Sequence, residues 1–444
     1  MPGTEHGSNS TSIGVISKKI EEILDSRDAA YHGSPSSSTE PLTYGMLVVL
    51  GYNGAPPQGN QERRKSSYLL QKKSLASGVK PFKQHLASSQ TGMQVVHSNQ
   101  AHSVSYTLAR GPSVVVEYCR DNKTDMFQIG RSSDSKIDFV VMDTVPGVKD
   151  GAVQPNPQKS TISRYACRIT VDRHPPYTAR VFAAGFDKSN NIFLGEKAPK
   201  WKNEDDMMDG LTTNGVLLMN PRGGPNCPPG IWREISVCGH VYGLRDTRSA
   251  PEKGKTVQNE SNVLFDGSLI DLCGAVLMWR SADAIPTMPT EGMIDAMRRR
   301  LNMMRLQCPV GLNTLVFSGA SQTAEASRQP HVYIKCGHVH GLHGWHGPDS
   351  STDVTESRTC PICLQVSNYV PLQIGKERAF FVGEIVSSHA FVPCGHVCSE
   401  ETVRFWSKIP IPHGCDAFQA ICPFCSLPLE GEDGFVKLIF STEQ

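Results

Sequence analysis

No apolar run in this sequence approaches the ~18–20 residues that a membrane-spanning helix needs; the longest such stretches lie at 47–50 and 275–279. Membrane insertion is not expected. The chain also lacks an excess of charge of either sign, with 44 Lys+Arg against 43 Asp+Glu and a formal net charge of +1. That balance tells against a protein whose main work is holding the phosphate backbone of nucleic acid. The opening residues, Met1-Pro-Gly-Thr-Glu-His-Gly-Ser8, have neither the basic start nor the apolar stretch of a secretory signal. A soluble, cytoplasmic protein is the expectation. Long helical periodicity is scarce as well. The 39 Gly and 30 Pro among 444 residues point to a chain rich in loops and strands, and the length suggests two or three domains.

Residues 1–40 are polar and end in Ser34-Pro-Ser-Ser-Ser-Thr39. They cannot bury enough apolar surface to offset chain entropy and are expected to be mostly disordered, with a weak helix at 16–24. From 44 to 280 short apolar or alternating runs recur, at 46–50, 68–70, 104–108, 114–118, 126–129, 137–142, 167–171, 179–182, 216–219, 235–241 and 269–279. Turn residues separate them, and the pattern predicts a β-sandwich over 41–283. Two stretches, 145–158 and 223–230, are too rich in Pro, Gly and Asn for core strands and read as loop insertions at its edge. At 290–306 the period becomes helical, with Ile294, Met297, Leu301 and Met304 on one face and Thr290 as N-cap. This helix is expected to connect the sandwich, across 284–307, to a last domain at 308–444. Its Arg298-Arg-Arg300 run reads as a solvated face.

Nine of the 14 Cys and eight of the 15 His lie beyond position 307. Cytosolic disulfides would be reduced, so clustered Cys with interleaved His indicates metal ligation. Cys119, Cys167, Cys238 and Cys273, each in an apolar stretch, read instead as packed free thiols. Two segments of the last domain match each other: Cys336-Gly-His338-Val-His with Cys360-Pro-Ile-Cys363, and Cys394-Gly-His396-Val-Cys with Cys422-Pro-Phe-Cys425. In an extended strand residues i and i+2 share a face, so Cys-x-His presents two donors to one ion. Cys-x-x-Cys closes around a tetrahedral ion. Eight ligands fill two four-coordinate zinc sites with no open position, which makes both ions structural. Two pairings are open. An interleaved one groups Cys336, His338, Cys394 and His396 apart from Cys360, Cys363, Cys422 and Cys425; a sequential one uses each half separately. The interleaved arrangement is favoured because it ties distant segments into one unit. Cys398, Cys415, His340, His343, His346, His389 and His413 are second-rank ligands. A further Cys-Gly-His-Val at 238–241 has no Cys-x-x-Cys behind it and reads as strand.

These phrases, with Ala390-Phe-Val-Pro-Cys-Gly-His-Val-Cys-Ser-Glu400, Ala420-Ile-Cys-Pro-Phe-Cys425, Asp143-Thr-Val-Pro-Gly147 and Asp209-Gly-Leu-Thr-Thr-Asn-Gly215, resemble the Pellino family of E3 ubiquitin ligases. The likeness runs from about Tyr44 to the C-terminus, and departs from the common RING order in that His follows Cys in both halves. It implies a RING-like α+β zinc domain that binds a ubiquitin-charged conjugating enzyme and positions its thioester without a covalent intermediate on this chain. By similarity to RING domains, Ile362, Pro423, Phe424 and the anchor Trp406 would face that enzyme. A thiol acceptor, Cys398 or Cys415, is the rival, and it needs an exposed low-pKa thiolate.

Within the β-region, Gln128-Ile-Gly-Arg131, Ile162-Ser-Arg-Tyr-Ala-Cys-Arg-Ile169, Thr212-Thr-Asn-Gly-Val216 and Asp266-Gly-Ser-Leu-Ile-Asp-Leu-Cys-Gly274 follow in the order of a forkhead-associated domain, a β-sandwich that reads phosphothreonine. The resemblance implies phosphate contacts from Arg131, Ser163 and Arg164, with Thr213 and Asn214 fixing the oxygens and the peptide backbone. The His that usually follows the Ser by three residues is Ala166 here, so another group must buttress the loop. The insertion at 145–158 matches the wing of Pellino proteins. The fold expected is therefore mainly β, a forkhead-associated sandwich with a wing followed by the zinc domain. The resemblance also implies interleukin-1-receptor-associated kinases, or adaptors of Toll-type innate immune signalling, as phosphorylated partners. A non-enzymatic phosphopeptide-binding scaffold is the alternative, and zinc-mediated nucleic-acid binding is disfavoured by the charge balance.

Overall fold

The computed structural model describes residues 41–54, 64–87, 101–108, 112–144, 160–318, 326–343, 357–413 and 417–441. The expectations for 1–40, for the 145–158 insertion and for Cys415 and His346 lie outside these residues.

The apolar run Met46-Leu-Val-Val-Leu50 lies largely in the strand Thr43–Val49, which pairs antiparallel with Val276–Ser281 and Ser67–Gln71. These join Val241–Tyr242, Arg233–Ile235, Leu217–Met219 and Leu269–Asp271 in a seven-stranded sheet. A four-stranded sheet covers one face, in the order Phe139–Val140, Thr124–Gly130, Cys167–Asp172, Ala179–Ala183. Leu47, Val49, Leu277 and Trp279 meet Phe127, Ile129, Ile169 and Val181 in that core. The alternate residues Met46, Val48, Met278 and Val276 point the other way, into a second core with Phe380, Phe391, Trp406 and Phe424. A sheet buried on both faces needs apolar residues at consecutive positions, and that is why 46–50 and 275–279 read as unbroken runs.

Several expectations change at the edges. The stretches 104–108 and 114–118 fall mainly in His102–Thr107 and Ser113–Asp121, which belong to neither of those two sheets although Val104, Tyr106, Val114 and Val116 lie in the same core. They form a separate sheet with Gly78–Ala87 and Asn191–Leu194. Gly78–Ala87 gives little alternation and contains Pro81, which is tolerated because the register shifts between Pro81 and Lys83 at the sheet edge. The run 269–279 is a hairpin, broken where Cys273 and Gly274 take positive φ. The run 235–241 is likewise two strands around a turn at Gly239.

Helix α1 (Glu291–Met303) is capped by Thr290, whose hydroxyl accepts from Met293 N, and it buries Ile294, Met297 and Leu301. Met304, expected on the same face, is the C-cap residue and is exposed. Arg298 pairs with Asp295, and Arg299 and Arg300 face solvent. The C-terminal region is built from short strands, 3-10 turns and helix α2 (Glu400–Trp406), capped by Ser399.

Candidate functional site

The two matching segments fold alike. In the first, His331–Tyr333 turns through Cys336-Gly337 into Val339–His340, with Gly337 N donating to Tyr333 O at 2.8 Å. In the second, His389–Phe391 turns through Cys394-Gly395 into His396–Cys398, with Gly395 N donating to Phe391 O at 2.8 Å. Both glycines hold positive φ, and a Cβ on either would strike a backbone carbonyl, that of Lys437 or Pro371. Each Cys-x-x-Cys closes the same way: Leu364 N reaches Cys360 O, Ser426 N reaches Cys422 O, and both donor residues lie near φ +60°.

These turns make two clusters, Cys336, His338, Cys360 and Cys363, and Cys394, His396, Cys422 and Cys425, each with donor atoms within 4.8 Å of one another. His338 Nδ1 lies 3.6 Å from Cys360 Sγ, and His396 Nδ1 lies 3.3 Å from Cys394 Sγ and 3.7 Å from Cys422 Sγ. All eight residues expected as ligands are brought together, but the interleaved pairing is overturned: each half makes its own cluster. The interlock comes from backbone instead. Val339 N donates to Ile439 O and Ile439 N to Gly337 O, while Gln373 N donates to Gly395 O, so each half threads a strand past the other's turn.

Burial pushes the Cys336 thiol up to about 12 and those of Cys394 and Cys422 well above the ordinary value. Hydrogen bonding draws others down, from the Gln365 backbone for Cys363 and from Cys394 and Cys422 for Cys425. One imidazole and three sulfurs at such distances fit a closed tetrahedral metal ion. His340 packs beside the first cluster, Nε2 3.9 Å from Cys360 Sγ, and His389 Nδ1 lies 2.9 Å from Ser388 Oγ. Cys398 is fully buried and its thiol is pushed far up by burial, the opposite of an accessible thiolate.

The residues expected to face a conjugating enzyme part company. Ile362 is 48 % exposed at the tip of the first knuckle. Trp406, at 1 %, is a core residue, its Nε1 donating to Phe380 O at 2.9 Å and its ring edge-on to Phe380. Pro423 and Phe424 are buried too, because the second knuckle sits against the seven-stranded sheet and Phe424 stacks on His396. The sequence reading passed over Leu364 and Val366, 70 % and 53 % exposed beside Ile362. The Ile-x-Leu-x-Val alternation after Cys360 was the available signal. The Cys238-Gly-His-Val241 copy is unrelated to the metal clusters: His240 Nδ1 lies 2.7 Å from Asp209 Oδ2, and Cys238 faces Tyr106.

At one end of the sandwich, Arg131 ends the strand Thr124–Gly130, with its backbone N on Ser163 O and its Nε on Ile162 O at 2.7 Å. Ser132 N donates to Arg164 O. A Cβ at Gly130 would meet that same carbonyl at 2.1 Å, so the close approach requires glycine. Asn214 Nδ2 donates to Thr161 O, which draws the 212–215 turn to the same segment. Arg131, Arg164 and Thr213 are exposed, and Ser163 and Asn214 partly so.

This is the pairing of a forkhead-associated sandwich with a RING-type Cys3His module. Residues 35–297 match the family model described as Pellino, FHA domain, and residues 301–444 the one described as Pellino, RING domain. The chain belongs to the pellino family of E3 ubiquitin-protein ligases and is a ubiquitin transferase. It is 56 % identical over 404 residues to mouse E3 ubiquitin-protein ligase pellino homolog 2, covering 90 % of this chain and 96 % of that one. Identity to mouse pellino homolog 3 is 53 %, over 90 % of each chain, and to the Drosophila melanogaster protein pellino 52 %, over 90 % of this chain and 93 % of that one. No helix among the described residues is long and apolar enough to cross a membrane.

Proposed function

We propose that this chain, in the cytoplasm, captures phosphothreonine-bearing proteins at the loop end of its sandwich and passes ubiquitin to their lysines from a conjugating enzyme docked on the first knuckle. The metal in both clusters is zinc, whose preference for mixed sulfur and imidazole ligands in a closed tetrahedron suits Cys3His. It is structural: four protein donors per ion leave no place for an activated water. The observation that carries the reading is the contrast between the knuckles. The first presents Ile362, Leu364 and Val366 as one exposed apolar strip, while the second is buried. Such a strip is what a partner enzyme can cover. With Cys398 sealed, catalysis on this chain is positioning of the thioester.

Arg131 supplies the permanent cation for the phosphate, Ser163 and Arg164 further donors, and Thr213 and Asn214 the contacts that orient the peptide. The family resemblance names interleukin-1-receptor-associated kinases and Toll-pathway adaptors as partners, and such phosphorylated signalling proteins carry the ligand that this loop end is suited to take. Incubation with activating enzyme, a panel of conjugating enzymes and ubiquitin should build chains, and a zinc chelator should stop them. No chains with any conjugating enzyme would leave the scaffold reading instead, and a ubiquitin thioester trapped on Cys398 or Cys415 would overturn transfer by positioning.

A further inference from the structure

The 212–214 turn must aim its side chains at the ligand, yet its backbone carbonyls face the interior of the sandwich, where each needs a donor. Two buried arginines supply them. Arg245, 1 % exposed, donates from Nη2 to Thr212 O at 3.0 Å and to Thr213 O at 3.4 Å while its fork holds Glu234 at 2.7 and 3.0 Å. Arg248, 10 % exposed, donates from Nη1 to Asn214 O at 3.0 Å while Nη2 holds the buried Asp271. Three consecutive carbonyls are thus fixed from beneath. Gly215 closes the turn at φ +71°, and a Cβ there would press on Glu234 Oε1 at 2.6 Å.

We infer that Arg245 and Arg248 are the positioning residues of the phosphopeptide site, locking Thr213 and Asn214 in the conformation that meets the ligand. This inference rests on the phosphothreonine reading proposed above. A planar guanidinium can grip a carboxylate with one edge and a carbonyl with the other, which an ammonium cannot do at this spacing. The two ion pairs therefore serve as anchors for the turn, beyond any stability they add.

The test uses the full chain and a peptide pool with a fixed central phosphothreonine, with the threonine pool as control. Arg248→Met should weaken binding of the phosphorylated pool about tenfold, as loss of a preformed loop does when about 1.4 kcal/mol of ordering is added to binding. Asn214→Ala should weaken it as well, and Arg248→Met should cost less in that background than in the wild type, since only Thr213 is then left to position. Arg233→Met, which breaks the Arg233–Glu260 pair of the same sheet away from the turn, should lower thermal stability and leave affinity unchanged. Wild-type affinity in Arg248→Met, or the same loss in the Asn214→Ala background, would overturn the inference. If Arg248→Met does not fold, Arg248→Lys keeps a cation against Asp271 without the fork; it should bind more weakly than wild type, and full affinity overturns the inference. Arg131→Ala separates the two claims. If it binds as wild type does, or if wild type does not prefer the phosphorylated pool, the phosphothreonine reading falls, and this inference with it. Loss in Arg131→Ala alone strikes only the positioning role.

Discussion

Gly51 N donates to Pro423 O at 2.7 Å, joining the end of a sandwich strand to the second metal knuckle. Ser426 Oγ adds a bond to Leu50 O at 3.1 Å, and Trp232 Nε1 one to Pro410 O at 2.6 Å. Sheet and knuckle share one core, in which Cys422 and Cys425 lie with Met46 and Val48. The second metal site is therefore part of the sandwich's packing as well as of its own domain.

Gly51→Ala should expose that seam. Gly51 holds φ +77°, and its added Cβ would fall 2.0 Å from Ser426 Oγ. The strain and the clash should cost about 2 kcal/mol, read as a lower urea midpoint of the full chain. An unchanged midpoint would show that the knuckle contributes nothing to the sandwich.

The sequential grouping of ligands makes a stoichiometric prediction. Cys336→Ala with Cys363→Ala removes two donors from one cluster and none from the other, so elemental analysis should find one ion per chain. Interleaved sites would each lose a donor, and both ions would go.

Ile362→Ala with Leu364→Ala should abolish chain formation while both metals and the unfolding midpoint are kept, because these side chains stand in solvent. Trp406→Ala should behave in the opposite way. Emptying a fully buried indole site costs about 3–5 kcal/mol, so it should fail in stability before it fails in transfer.

A pH effect belongs to the sandwich. The hydrogen bond to buried Asp209 raises the pKa of His240 above its ordinary 6.5. The ion pair's contribution is fully present below about 6.5 and is lost as pH rises through the folded value. Half the ring is exposed, and solvent screening holds the effect to about 0.5–1 kcal/mol. The wild-type unfolding midpoint should fall between pH 6 and pH 8, and His240→Asn should flatten that fall.

The ligands were legible because metal chemistry is local: a strand and a knuckle fix Cys-x-His and Cys-x-x-Cys within a few residues of chain. Their grouping was not, since two copies of one pattern are interchangeable on paper, and only the crossing of 371–374 and 436–439 decides between them. Apolar residues beside a knuckle carry the same ambiguity. Ile362 and Phe424 occupy equivalent places in their repeats, yet one faces water and the other the sheet, according to where a distant strand docks. The unbroken apolar run at 46–50 did hold a clue to that docking, for a sheet with one wet face would have alternated. Arg245 and Arg248 left no trace, because the carbonyls they hold, those of Thr212 and Asn214, lie 33 and 34 positions upstream with no spacing rule between them.

The seven-stranded sheet is covered on both sides, and on the function proposed above this bears on which lysines would come within reach. A transfer module on a slack leash would sample every amine within the leash's radius. Here Arg131 follows a strand of the sheet packed on one face, and the second knuckle is seated on the other face, so in the function proposed above a captured protein is presented at a fixed bearing. On that proposal its modified lysines would be selected by their angle from the phosphorylated residue, and inserting residues between the two halves would do little to widen the choice.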